Sequence, residues 1–163
     1  MKLHPLYAAF FALLLFACGQ SNEEKTTLEK TVNIEEEITV ENSNSSENIE
    51  TKITDIRTNY NEIEKGINDF ELHSRLWDNG YGEVSLKAYY KEGELVKLIR
   101  SEAQGHGANE TSYYLKDNVL FFIFETSAEE ASVNGPFTDK EMRVYIEDNT
   151  IIRMLKKERT TDE

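Results

Sequence analysis

Three copies of one short pattern constrain this chain more than any other feature. Tyr89-Tyr90-Lys91-Glu92-Gly93-Glu94-Leu95, Tyr114-Leu115-Lys116-Asp117-Asn118-Val119-Leu120 and Tyr145-Ile146-Glu147-Asp148-Asn149-Thr150-Ile151 align without a gap. Each runs aromatic, strand residue, charge, acid, Gly or Asn, any residue, aliphatic. Gly and Asn tolerate positive φ, so Glu-Gly and Asp-Asn suit the centre of a two-residue hairpin turn. Each copy therefore predicts two antiparallel strands and a tight turn.

In the first hairpin this reading sets Tyr90 opposite Leu95, Ala88 opposite Lys97 and Leu86 opposite Ile99. Val84, Leu86, Ala88, Tyr90, Leu95 and Ile99 then form the more apolar face. In the second, Val119 to Phe124 holds no polar residue, which predicts a central strand covered on both faces. Longer loops are expected between hairpins, at Gln104-Gly105-His106-Gly107-Ala108-Asn109 and from Ser127 to Thr138. Asp78-Asn79-Gly80-Tyr81-Gly82 precedes the first.

Ahead of the hairpins, Ile53, Ile56, Tyr60, Ile63, Ile67 and Phe70 recur at alternating three- and four-residue steps. That spacing predicts a helix with one apolar stripe, capped at its start by Thr51 or Thr54. The stripe calls for a sheet to pack on, with Ile63 and Ile67 set against Phe121 or Phe122. The expected fold class is α+β: one amphipathic N-terminal helix on an antiparallel β-meander of about six strands, three hairpins in all. The folded unit spans residues 53–159, followed by a frayed tail at 160–163.

Residues 18–52 differ in composition. Asn, Ser, Thr and Glu dominate, and no aromatic occurs between Gly19 and Lys52. Such a stretch buries too little apolar surface to offset its ordering entropy, so it reads as a disordered acidic tether. Thr31-Val32-Asn33-Ile34 and Ile38-Thr39-Val40 could extend, but Glu35-Glu36-Glu37 argues against a packed strand.

Residues 1–17 carry the parts of a secretory signal: Lys2, an uncharged apolar run from Leu6 to Phe16, and small Ala17 before Cys18. The run is too short to cross a bilayer as a helix. Leu15-Phe16-Ala17-Cys18 resembles the lipobox of bacterial lipoproteins. That resemblance implies cleavage between Ala17 and Cys18, and lipidation of the Cys18 thiol. Gly19 after the cysteine points to the outer membrane, and Ser21-Asn22-Glu23-Glu24 resembles the acidic export signals of surface lipoproteins in Bacteroidota-type bacteria. The hairpin pattern after an Ile-rich helix also resembles small envelope lipoproteins of such bacteria, a likeness that implies no particular activity.

The net charge of −13 becomes about −14 once the Lys2 segment is removed. Phosphate contact needs clustered Lys and Arg, so nucleic acid is disfavoured as a partner. Cys18 is the only cysteine, so no disulfide within the chain is available and an apolar core must hold the fold.

Chemistry-bearing groups are sparse. His106 lies between two glycines with Glu110 nearby, and His73 lies near Trp77. If His106, Glu110 and His73 converged, a hydrolase or metal-dependent loop site would follow. Taken singly, His106 reads as a solvated loop residue and His73 as the end of the helix. Glu129-Glu130 with Asp139 and Glu141 could gather a divalent cation or simply form a solvated rim. No cofactor motif is present. Trp77, Tyr81, Tyr89 and Tyr114, with His106, are the candidate binding residues, because Tyr and Trp join apolar area to a polar tip. The leading expectation is a lipid-anchored, non-catalytic module that binds an envelope protein, peptide or glycan.

Overall fold

The computed structural model describes residues 31–38, 46–130 and 135–161. Ala17 and Cys18 lie outside them. The elements in order are β1 (Thr31–Ile38), α1 (Ser46–Gly66), a 3-10 turn (Ile67–Asp69), β2 (Glu71–Asp78), β3 (Glu83–Lys91), β4 (Glu94–Gln104), β5 (Gly107–Lys116), β6 (Val119–Glu130), β7 (Phe137–Glu147) and β8 (Thr150–Thr161). The eight strands form one antiparallel sheet, ordered β1-β8-β7-β6-β5-β4-β3-β2. An antiparallel sheet with one helix matches the expected class. Among the described residues the strands number eight rather than about six, and the helix follows a strand instead of starting the fold.

The helix explains how the chain changes edges. Its ends meet opposite parts of the sheet. Glu50 pairs with Arg153 on β8, Lys52 with Glu147 on β7 at 3.5 Å, and Glu64 with Lys97 on β4 at 2.6 Å. The helix thus crosses the strands from the β1 side toward β2. Its length of about 30 Å is close to the breadth of seven strand spacings. Ile53, Ile56 and Ile63 are buried against Tyr114, Phe121, Phe122 and Tyr145, while Tyr60, Ile67 and Phe70 pack at the margin of that cluster. The expected stripe is therefore the docked face, and Ile63 shares a cluster with both phenylalanines. Thr51 and Thr54 do not cap. α1 begins earlier, and the Thr54 hydroxyl donates to the Glu50 carbonyl at 2.8 Å. At the far end Phe70 folds back over Gly66, where an added Cβ would meet its ring at 3.0 Å.

The three hairpins turn where the pattern placed them. Glu92-Gly93, Asp117-Asn118 and Asp148-Asn149 all have positive φ at both residues, the type I′ geometry that matches strand twist. Beyond each turn comes a departure. Lys97 pairs with Tyr89 while Leu95 pairs with Tyr90, so Val96 is an inserted bulge residue. Phe121 and Ile152 are inserted in the same place in the other two hairpins. All three bulged side chains pack into or against the core. A bulge reverses the facing of the residues beyond it. Ala88 accordingly meets Leu98 and Leu86 meets Arg100, not Lys97 and Ile99. Lys97 and Ile99 instead share the helix side with Tyr89. The row Val84, Leu86, Ala88 and Tyr90 lies on the opposite face.

Three boundaries also move. β1 lies within the stretch read as tether, and the folded part starts before residue 53. The acidic run that argued against a strand has a partner: Glu35 sits opposite Lys157 and Glu36 opposite Lys156. Opposite charges directly across a ladder stabilise it. Next, β4 and β5 run to a two-residue turn at Gly105-His106, so no long loop separates them. Finally, β8 reaches Thr161, where the tail was expected to fray.

Candidate functional site

The helix-side face of the sheet divides along its strands. Nearest the I′ turns, the cross-strand row Tyr89, Lys97, Tyr114, Phe122, Tyr145 and Arg153 is large and lies by the helix. The next row, with Ser112, Phe124, Arg143 and Leu155, completes that packed zone. Two further rows extend past it. One is Ser85, Ser101, Glu110, Thr126, Glu141 and Lys157; the other is Glu83, Ala103, Ala108, Ala128, Asp139 and Arg159. Apart from Glu110 on β5, the middle strands carry small side chains (Ser101, Ala103, Ala108, Thr126 and Ala128), and charged ones stand toward the outside at Glu83, Asp139, Glu141, Lys157 and Arg159. The result is an open trough of about 1050 Å³ reached by residues from β3 to β8.

Within the trough the charges are ordered. Arg159 donates to Asp139 at 2.7 Å, Arg143 pairs with Glu141 at 2.6 Å, and the Ser101 hydroxyl donates to Glu110 at 2.9 Å. The floor offers hydroxyls, methyl groups and the Glu110 carboxylate, and the flanks offer further carboxylates and cations. Such a surface can hydrogen-bond an extended polar ligand and also contact its apolar stretches.

Between trough and helix lies a buried polar knot. Lys97 is only 7% exposed; its Nζ reaches Glu64 Oε1 at 2.6 Å and sits over the Tyr114 ring, 5.0 Å from the centroid. The Tyr114 hydroxyl donates to the same carboxylate oxygen at 2.8 Å. Burial, and then the hydrogen bond to Glu64, push the Tyr114 phenol well above the ordinary tyrosine range. Burial likewise raises Tyr60, and the hydrogen bond from Arg153 lowers the Glu50 carboxyl.

The residues singled out in the sequence do not gather. Tyr114 is 2% exposed and belongs to the core, not to a ligand surface. Tyr89 is half-buried on β3 opposite Leu72. Trp77 is exposed on β2 under the Arg75 guanidinium, and Tyr81 is 83% exposed in the β2–β3 loop. His106 sits in the β4–β5 turn, its Nδ1 3.4 Å from Glu130 and not beside Glu110. His73 ends no helix; it lies in β2 with its Nε2 2.7 Å from Glu71 and its ring near Tyr90. His73 is level with Leu98 along the sheet, whereas His106 lies in the turn beyond Gln104, itself six residues and about 20 Å of strand past Leu98. The three groups required for a loop enzyme site are held apart.

The acidic quartet disperses in the same way. Glu129 pairs with Lys140 at 3.2 Å, Glu130 with His106, Asp139 with Arg159 and Glu141 with Arg143. Among the described residues no group of three or more His, Cys, Asp or Glu could hold a metal ion, and no helix is long and apolar enough to cross a membrane. The trough itself was missed in the sequence. Its signal was present as Ser, Ala and Thr at alternate positions of β4, β5 and β6, but only register aligns them.

Family models, curated proteins and solved structures offer no match to this chain.

Proposed function

We propose that this chain is a lipid-anchored binding module of the bacterial cell envelope, and that the trough beside the helix is its ligand site. The observation that carries the reading is the trough: about 1050 Å³ of open space over a floor of small residues and Glu110, flanked by charges of both signs. Its chemistry suits a polar, extended ligand, a peptide or a glycan. The lipobox-like Leu15-Phe16-Ala17-Cys18 supports the anchor, with Cys18 as the acylated N-terminus on an outer-membrane face.

Two experiments test the two halves separately. Chemical cross-linking of the intact protein in its own envelope, followed by mass spectrometry, should capture a partner. Ala128→Trp fills the trough floor and should lose that partner, while Glu62→Ala on the wet side of the helix should keep it. Retention by Ala128→Trp would remove the trough from the reading. Feeding cells an acyl precursor should label the wild type and not Cys18→Ser. Equal labelling of both would remove the anchor.

A further inference from the structure

The two edges of the sheet are unlike. β1 carries Glu35-Glu36-Glu37, a charged guard of the kind that blocks edge-to-edge association. β2 has no run of like charge: Glu71, Arg75 and Asp78 are of both signs and are separated by uncharged residues and His73. All eight of its residues are exposed, including Leu72 at 49% and Leu76 at 60%, and no described strand pairs with its far edge.

The backbone alternation of β2 is fixed by its neighbours. In the β3–β4 hairpin, Lys91 and Glu94 close the two-residue turn, so they form a hydrogen-bonded pair. Tyr90 therefore turns its backbone groups toward β2, as do Ala88, Leu86 and Val84. Their β2 partners are Glu71, His73, Arg75 and Trp77. The Asn79 N–H donating to the Gly82 carbonyl at 3.1 Å agrees with this alternation. The N–H and C=O groups of Leu72, Ser74 and Leu76 consequently point outward.

We propose that β2 is a homodimer edge, on which a second copy of this chain adds antiparallel about a two-fold axis through Ser74. Only registers that set outward residues opposite outward residues can form the ladder. The register centred on Ser74 sets Leu72 opposite the partner's Leu76 and His73 opposite the partner's Arg75. Glu71 then lies diagonal to the partner's Arg75, an opposite-charge contact within reach. Of the registers on either side, the one centred on Arg75 sets that cation against its own copy and Leu72 against Asp78, and the one centred on His73 sets Leu72 against Ser74 and leaves Leu76 beyond the start of the partner's strand. The Ser74 register is isologous, so both copies give up the same exposed leucines and the assembly closes at two.

Native mass spectrometry of the full chain released from mild detergent reads the oligomeric state directly. The wild type should be a dimer. Ser74→Pro removes one outward N–H and no bond to β3, and should give a monomer with an unchanged circular-dichroism melt. Should that variant fail to fold, Leu76→Lys carries the same expectation. In a Cys18→Ser background, Ser74→Cys should form a disulfide dimer under mild oxidation, because facing Cα atoms of a hydrogen-bonded pair lie about 5.5 Å apart. A wild-type chain that stays monomeric up to about 100 µM overturns the proposal. So does faster cross-linking through Arg75→Cys than through Ser74→Cys, which selects the other register.

Discussion

Nζ of Lys97 lies 2.6 Å from Oε1 of Glu64, and this contact joins the last turns of the helix to the middle of the sheet. It exists because Val96 is a bulge. Without the inserted residue Lys97 would point away from the helix and leave the carboxylate alone over Tyr114. The lysine is nearly buried, at 9% side-chain exposure, while Glu64 keeps 34%.

Glu64→Ala should therefore strand a buried ammonium. Glu64 is one-third exposed and screened by solvent, so the cost should fall at the low end for such pairs, about 2–3 kcal/mol by urea denaturation. Lys97→Met combined with Glu64→Gln should cost less than the sum of the two single changes. Strict additivity would mean that the pair is not coupled.

Tyr114 gives a pH signature. An unfolded phenol ionises near 10.0, and the folded one ionises higher. Above pH 10.0 only the folded state keeps this proton, so stability is complete below that pH and falls by about 1.4 kcal/mol per unit above it. Tyr114→Phe should lower stability at neutral pH and flatten the alkaline limb by about one proton. An unchanged alkaline slope in the variant would refute the assignment.

The turns predict opposite effects of two small changes at one position. Asn118 has φ of 60°. Asn118→Gly should be neutral or stabilising by a few tenths of a kcal/mol, and Asn118→Ala should cost about 1 kcal/mol. Thermal melts of the two variants decide it.

Phe121 should matter far more than its neighbour Val119. The bulge turns Phe121 into the core at 8% exposure, so Phe121→Ala should cost about 3–5 kcal/mol. Val119→Ala, on an exposed side chain, should stay within about 0.5 kcal/mol.

The edge pairing of β1 can be tested by charge exchange. Glu36→Lys sets a cation opposite Lys156 and should cost up to about 1 kcal/mol, with faster amide exchange across Thr31–Ile38. Adding Lys156→Glu should restore protection.

Much of this fold was legible locally. The I′ turns follow from Gly93, Asn118 and Asn149, whose chemistry acts within four residues. The helix stripe follows from six apolar positions, five of them isolated between polar ones. The features that escaped depend on distance. A bulge leaves no mark on composition: Val96, Phe121 and Ile152 look like ordinary strand residues, and the facing of β4 was inverted as a result. β1 was hidden because the lysines that stand opposite Glu35 and Glu36 come about 120 residues later. The trough needed six strands in register. The aromatic residues favoured as binding groups were a poorer guide, since Tyr114 was required by the core.

A ribosome makes β1 first and its partner last. Thr31–Ile38 has no ladder to join until Thr150–Thr161 has been made, so the earliest part of the fold waits on the final dozen residues of the sheet. A message cut short before Thr150 would yield a chain with a loose acidic segment at one end and β7 bare at the other. Order of synthesis is thereby written into this edge of the sheet: Thr31–Ile38 can be held in place only once Thr150–Thr161 has left the ribosome.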